Sequence, residues 1–430
     1  MSSIKNNSND STVSNDSTVS NDSYDSESSD EEIVTNDNIN LLGKIVNSYN
    51  IISEIGKGSY SIVWLTYNIS DDKFYALKIQ NSEDFKEGIS EINILKKLPY
   101  NDNIIQLKEH FIKKINSLNF ICSSYELCCL NLDTIIRKCD YSEGLNLVVV
   151  KKIFRQLIKG LCIIHNKCNL IHCDLKTDNI LLKGINDKDK YIIELYEKHN
   201  FKKLYNEAKT KYWLDLGKKI EDINKMDTTQ ILMIRTQVHQ DILNLIQEKI
   251  NNNEYDSYKF DVKYINEPSI VIADFGAACT EDENYEEDFG TRYYRAPEVI
   301  LNSEITNKVD IWAAGCILYE LIVGNFLFDP YKDKYNTRDY YHLLEMTKVS
   351  GRFSKKFLKT TKHWETYFDK SYDIINTKYR EYYDWDELLD KVNNDNERYQ
   401  LKSLLKKMLQ LDPILRISAK DILECEWLST

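Results

Sequence analysis

The feature that most constrains this chain is the polar run His172-Cys173-Asp174-Leu175-Lys176 with Asn179, answered by Asp274-Phe275-Gly276. Moving a phosphoryl group requires a carboxylate to orient the attacking hydroxyl, a cation for the migrating phosphate, and oxygen ligands for magnesium. Asp174, Lys176, and the pair Asn179 with Asp274 are the residue types that supply these in turn.

Further parts of the same chemistry follow in order. Ile55-Gly56-Lys57-Gly58-Ser59-Tyr60-Ser61 precedes Val63, a glycine-rich hairpin able to lay backbone amides over phosphates. Tyr75-Ala76-Leu77-Lys78 puts a lysine near the end of an alternating apolar strand. Glu91 opens a helical pattern over 91–98, and its carboxylate can hold Lys78 against the α- and β-phosphates. Downstream, Gly290-Thr291-Arg292-Tyr293-Tyr294-Arg295-Ala296-Pro297-Glu298 precedes an apolar helix opening at Asp310-Ile311-Trp312. Taken singly, Gly56 and Gly58 make an ordinary hairpin and Glu91 a solvated helix face; order and spacing carry the argument.

From about 49 to 428 the chain therefore resembles the eukaryotic protein kinases. The resemblance implies an α+β, bilobal fold: a β-rich N-lobe over 49–127 and an α-helical C-lobe over 128–430, with ATP and Mg2+ between them. It implies Asp174 as catalytic base, Lys176 as γ-phosphate contact, Asn179 and Asp274 as metal ligands, and Lys78 with Glu91 as the nucleotide-aligning pair. Ile55, Gly56, Lys57, Gly58, Ser59, Tyr60, Ser61, Val63 and Ala76 would enclose the nucleotide, and the hinge Glu126-Leu127-Cys128 would meet adenine. Glu298 would pair with Arg416. Lys176-Thr177-Asp178-Asn179 favours serine or threonine acceptors, with Thr291 able to hydrogen-bond Asp174 and Lys176 or simply to follow Gly290 in a turn.

Kinases usually place fewer than about twenty residues between the two aspartates, whereas here the interval is 100. An insertion over 184–268 must loop out after Ile180-Leu181-Leu182 and return at Ile270-Val271-Ile272. Segments 191–212 and 229–250 are amphipathic enough for helices, and whether they pack on the rest is open. A long spacer at this point is similar to that of the SR-protein kinases, as are Ser61-Ile62-Val63-Trp64-Leu65, the approach to Asp174, and Phe326-Leu327-Phe328-Asp329-Pro330 with Tyr335, Thr337-Arg338-Asp339 and His342. That resemblance implies basic or Arg-Ser-rich protein substrates.

Departures qualify it. Cys173 stands where most kinases carry the arginine that grips an activation-loop phosphate, and Glu281-Asp282-Glu283 with Glu286-Glu287-Asp288 would repel an added phosphate. Activity without activation-loop phosphorylation is expected. Positions aligned with the acidic docking groove are Asn325, Tyr341 and Lys348, so docking should be weaker or altered, with Asp329, Asp333 and Asp339 as substitutes. Thr177 replaces the usual proline.

Lys and Arg total 56 against 68 Asp and Glu, a net charge of −12 that disfavours a nucleic-acid ligand and suits a basic substrate. Ten cysteines lack zinc-ligand spacing and read as reduced thiols of an intracellular protein, cytoplasmic or nuclear. No apolar run approaches the roughly 20 residues that span a bilayer. A monomer is expected. Residues 1–40 are rich in Ser, Asn and Asp, repeat 9–14 as 15–20, and should be disordered, with Ser26-Glu27-Ser28-Ser29 open to acidophilic kinases or merely solubilising. Two alternatives stand beside the leading reading: a dual-specificity-like kinase of the same broader group, and a nucleotide-binding scaffold acting through its insertion.

Overall fold

The computed structural model describes residues 40–58, 60–115, 118–251, 258–280, 289–377 and 382–429. The expectations for the tail 1–39, for Ser59 and for the acidic stretch 281–288 lie outside the described residues.

The N-lobe is a six-stranded antiparallel sheet of β1 (Ile45–Val46), β2 (Tyr49–Lys57), β3 (Ser61–Asn68), β4 (Lys73–Gln80), β5 (Glu109–Ile115) and β6 (Leu118–Tyr125), ordered β1-β2-β3-β4-β6-β5. On β4 the side-chain period of two puts Lys78 and Gln80 on one face. Helix α1 (Phe85–Lys97) covers that face and begins six residues before Glu91, because Phe85-Lys86-Glu87-Gly88 carries too little apolar periodicity to announce a helix. Gly88 leaves the room for this approach: a Cβ would stand 2.1 Å from Gln80 Oε1 and displace that side chain.

After the hinge, β7 (Cys128–Asn131) starts the C-lobe, and helix α2 (Leu132–Lys138) follows, capped by the Asn131 side chain accepting from the Thr134 amide. Helix α3 (Leu147–Cys168) buries Ile153, Leu157, Leu161 and Ile164 at helical spacing and stops at Asn169, which is left-handed with φ 50°. Gly160 on α3 lies under the DFG strand, since a Cβ would meet Ile272 Cδ1 at 2.7 Å. The catalytic loop sits between β8 (Leu170–Ile171) and β9 (Ile180–Lys183), and its returning partners are β10 (Ile270–Ile272) and β11 (Cys279–Thr280). β9 pairs with both β7 and β10, and β11 pairs with β8. Beneath them the helix Lys308–Val323 is apolar all round, with every residue 309–322 buried, as befits a central core helix. Glu298 and Arg416 pair as expected, at 2.6 and 2.9 Å with both side chains fully buried.

The insertion folds and docks. It forms α4 (Asp187–His199), α5 (Phe201–Asp215) and α6 (Thr228–Asn251). The single helix expected over 191–212 is broken at Asn200, left-handed at φ 46°, whose side chain caps α5 by accepting from the Lys203 amide. Ile192, Tyr196, Phe201 and Ile242 share an apolar cluster with Ile52, Leu65 and Tyr67 of the N-lobe sheet. Polar contacts fix the placement. Arg235 donates to Asn50 Oδ1 at 2.9 Å and to the Asn47 carbonyl at 2.7 Å, and His239 Nε2 meets the Ile51 carbonyl at 2.8 Å. Tyr196 joins them, its hydroxyl 3.0 Å from Asn50 Nδ2 and from His239 Nδ1. Chain that leaves the C-lobe through β9 thus rests on β2 and β3. Among the described residues no helix is long and apolar enough to cross a membrane.

Arg235→Ala strips the donors from the buried Asn50 Oδ1 and from the Asn47 carbonyl. Its expected cost is about 1–3 kcal/mol, read as a lower urea midpoint; an unchanged midpoint would contradict this account of the docking.

Candidate active site

Pairing of β4 with β3 and β6 sets Lys78 opposite Val63 and Ser123, and α1 brings Glu91 across to it. Lys78 Nζ lies 2.9 Å from both Glu91 oxygens and 3.3 Å from Asp274 Oδ1. Burial alone would lower the Lys78 pKa, but the carboxylates of Glu91 and Asp274 outweigh it and hold the ammonium above its ordinary value. Glu91 is itself buried and takes a second bond, 2.9 Å, from Gln80 Nε2. In the hairpin above, Gly56 is opposite Val63 and Lys57 opposite Ile62, while Gly58 donates to the Ser61 carbonyl at 2.9 Å. Tyr60 projects into solvent. Ala76 faces Tyr125 and Leu65, and Ile55, Val63, Leu127 and Cys128 pack against the core that includes it. At the hinge the Glu126 carboxylate pairs with Lys108 at 2.7 Å, and Cys128 opens the strand opposite Lys183.

In the catalytic loop, Asp174 Oδ1 accepts from the Thr291 amide at 2.9 Å and its hydroxyl at 2.7 Å, and Oδ2 accepts from Lys176 Nζ at 2.7 Å. Lys176 also donates to Thr291 Oγ1 at 3.0 Å, closing a three-residue ring. Burial pushes the Asp174 carboxyl up, and the bonds from Lys176 and Thr291 more than reverse it, leaving it below the ordinary aspartate range. The β9–β10 register, Ile180 opposite Ile272, sets Asn179 and Asp274 at one end of the strand pair. Asn179 spends its amide hydrogens on the Asp174 carbonyl, 2.8 Å away, so its Oδ1 remains an acceptor. Asp274 is left-handed at φ 63° with a half-exposed carboxylate. Two hard oxygen donors at one strand end suit magnesium.

One buried carboxylate anchors the catalytic loop. Asp310 accepts from the His172 amide at 2.8 Å, the Cys173 amide at 3.1 Å and the His165 ring at 2.8 Å. Burial works against the charge, yet these bonds hold the Asp310 carboxyl below its ordinary value. They pin the loop while Cys173 takes φ 68°, a conformation costly for a side chain bearing Cβ.

The protein kinase domain matches residues 49–196 and 261–428. The chain belongs to the protein kinase family. The kinase is 29% identical to a protein named as a serine/threonine-protein kinase of Acanthamoeba polyphaga mimivirus, over 94% of this chain and 92% of that one. It is 28% identical to the serine/threonine-protein kinase SRPK of Physarum polycephalum (89% and 86% covered) and 23% identical to human SRSF protein kinase 3 (90% and 88%). The match is that of a protein serine/threonine kinase of SR-protein-kinase type, catalysing ATP-dependent phosphotransfer.

Sequence reasoning passed over Gln80 and the anchoring role of Asp310; the signals were a polar residue two places beyond Lys78 on the same strand face and an acid opening an apolar helix. Thr177 also gains an account. Its hydroxyl is 2.9 Å from Tyr294 Oη, a bond proline cannot make, and Tyr294 in turn donates to Glu320 Oε2 at 2.6 Å. Of the substitute docking acids, Asp339 pairs with Arg292 and Asp333 accepts from Tyr341. His165 is a packed residue, buried with its ring against Asp310.

Glu320 is fully buried and its carboxyl is pushed up to about 7, by burial first, against the opposing Tyr294 and Arg137. Between its ordinary 4.5 and about 7 the folded kinase therefore holds a proton that the unfolded chain releases, so this contribution to stability is present at low pH and lost as pH rises. Glu320→Gln should flatten the stability profile in that window by up to about 1.4 kcal/mol per pH unit; equal slopes in both proteins would contradict it.

Proposed function

We propose that this kinase transfers the γ-phosphate of magnesium-bound ATP to serine or threonine in basic, Arg-Ser-type proteins, and does so without activation-loop phosphorylation. The observation that carries the residue assignments is the ring of Asp174, Lys176 and Thr291. Asp174, held ionised, orients the acceptor hydroxyl and takes its proton as the new O–P bond forms and the bond to the β-phosphate oxygen breaks. Lys176 shares charge with the moving phosphoryl group. Lys78, clamped by Glu91, meets the α- and β-phosphates, and the backbone of the 55–61 hairpin covers them. Asn179 and Asp274 would hold magnesium, which when bound would neutralise charge on the phosphate oxygens.

Independence from a loop phosphate is supported by the Lys78–Glu91 pair and the Asp174 ring standing together, and by Cys173 in place of a phosphate-gripping arginine. A basic substrate is supported by the net charge of −12 and by the relatives named for SR proteins. Engagement of Asp333 and Asp339 within the fold supports weaker docking than a dedicated acidic groove provides.

Transfer of labelled phosphate to Arg-Ser, basic, acidic and Pro-directed peptides tests the reading. Arg-Ser labelling should dominate and fall at least about 100-fold in Asp174→Ala, with ATP binding retained. Equal labelling of acidic and Arg-Ser peptides would defeat the substrate assignment; an unaffected Asp174→Ala would defeat the residue roles.

A further inference from the structure

Phosphoryl transfer as derived above makes no use of the thiols, yet two of them meet beside the catalytic aspartate. Cys173 Sγ and Cys279 Sγ are 3.1 Å apart, and both cysteines are free. The topology enforces the contact: β11 lies against β8 with Cys279 opposite Ile171, two residues before Cys173. We propose that Cys173 and Cys279 form a reversible, peroxide-driven disulfide that switches off phosphate transfer.

The two sulfurs have different access. Cys279 is half-buried, whereas Cys173 is 7% exposed. Its hydrogen bond to Cys279, and then burial, push the Cys173 thiol far above its ordinary pKa, so it stays protonated. Cys279 therefore reacts first. Its sulfur attacks hydrogen peroxide, the O–O bond breaks, and a sulfenic acid and water result. Cys173 then attacks that sulfur: the S–S bond forms, the S–O bond breaks, and its proton leaves with hydroxide as a second water. Two thiols lose two electrons and peroxide gains them. Dithiothreitol returns both electrons and becomes a cyclic disulfide.

A disulfide needs sulfurs about 2.05 Å apart, so the pair must close by roughly 1 Å. The shift falls on Cys173, whose amide binds Asp310 and whose carbonyl leads directly into Asp174. Displacing that peptide displaces the base.

The full-length kinase is treated with hydrogen peroxide, digested with trypsin without reduction, and assayed in parallel with ATP, magnesium and the peptide it labels best. Peptides 168–176 and 264–292 should appear linked through Cys173 and Cys279, with a tenfold or greater loss of rate that dithiothreitol restores. Cys279→Ser should keep the untreated rate and resist peroxide; Cys173→Thr, compared with its own untreated rate, provides a second block. Absence of the linkage, linkage without loss of rate, or equal loss in the variants would overturn the proposal. Fragmentation of the linked pair separates Cys173 from Cys168 in the same peptide, and because the linkage is read by mass spectrometry it is judged apart from the choice of peptide.

Discussion

The cleft depends on one ion pair. Lys78 comes from the sheet, Glu91 from the helix packed against it and Asp274 from the end of a C-lobe strand, and the lysine touches both carboxylates. A buried pair is expensive to desolvate and costly to break, which makes it a poor source of stability and a good registry device. Gln80 adds a further hydrogen bond to Glu91 Oε2, and Gly88 gives α1 room to approach near enough for that bond. The Lys78 ammonium is thereby held in place by three side chains of the fold itself.

On the other side of the cleft the same logic runs through Asp310. Its carboxylate, 1% exposed, satisfies two consecutive backbone amides and a histidine, and so holds a catalytic loop whose backbone would otherwise relax from the left-handed turn at Cys173. Docking of the insertion on β2 and β3 adds a third restraint, because the chain reaching the N-lobe is anchored at its start in β9. Three restraints from separate parts of the sequence act on one geometry.

Much of this was legible in the sequence, for a physical reason. Residues suited to phosphate and magnesium are limited to a few chemical types, so Lys78, Glu91, Asp174, Lys176, Asn179, Asp274 and Thr291 stand out as candidates by type and spacing, and the structure brings them together. Strand alternation and the apolar helix Lys308–Val323 were equally plain. Docking of the insertion was not, since Arg235 and His239 find partners in Asn50 and Ile51 that lie nearly two hundred residues away and carry no motif. The break at Asn200 was hidden because an asparagine can sit in a helix or cap one, and only the packing of Phe201 against Tyr196 decides. Gln80 was hidden for a similar reason: a polar strand residue is ordinarily solvent-facing.

The central claim is that this cleft is assembled without an activation-loop phosphate. Its most direct measurement is the initial rate of phosphate transfer by kinase treated with phosphatase and shown by intact mass to carry no phosphate, beside the untreated protein. Equal initial rates are what the account predicts. A rate abolished by phosphatase and recovered on rephosphorylation of the activation segment would contradict it.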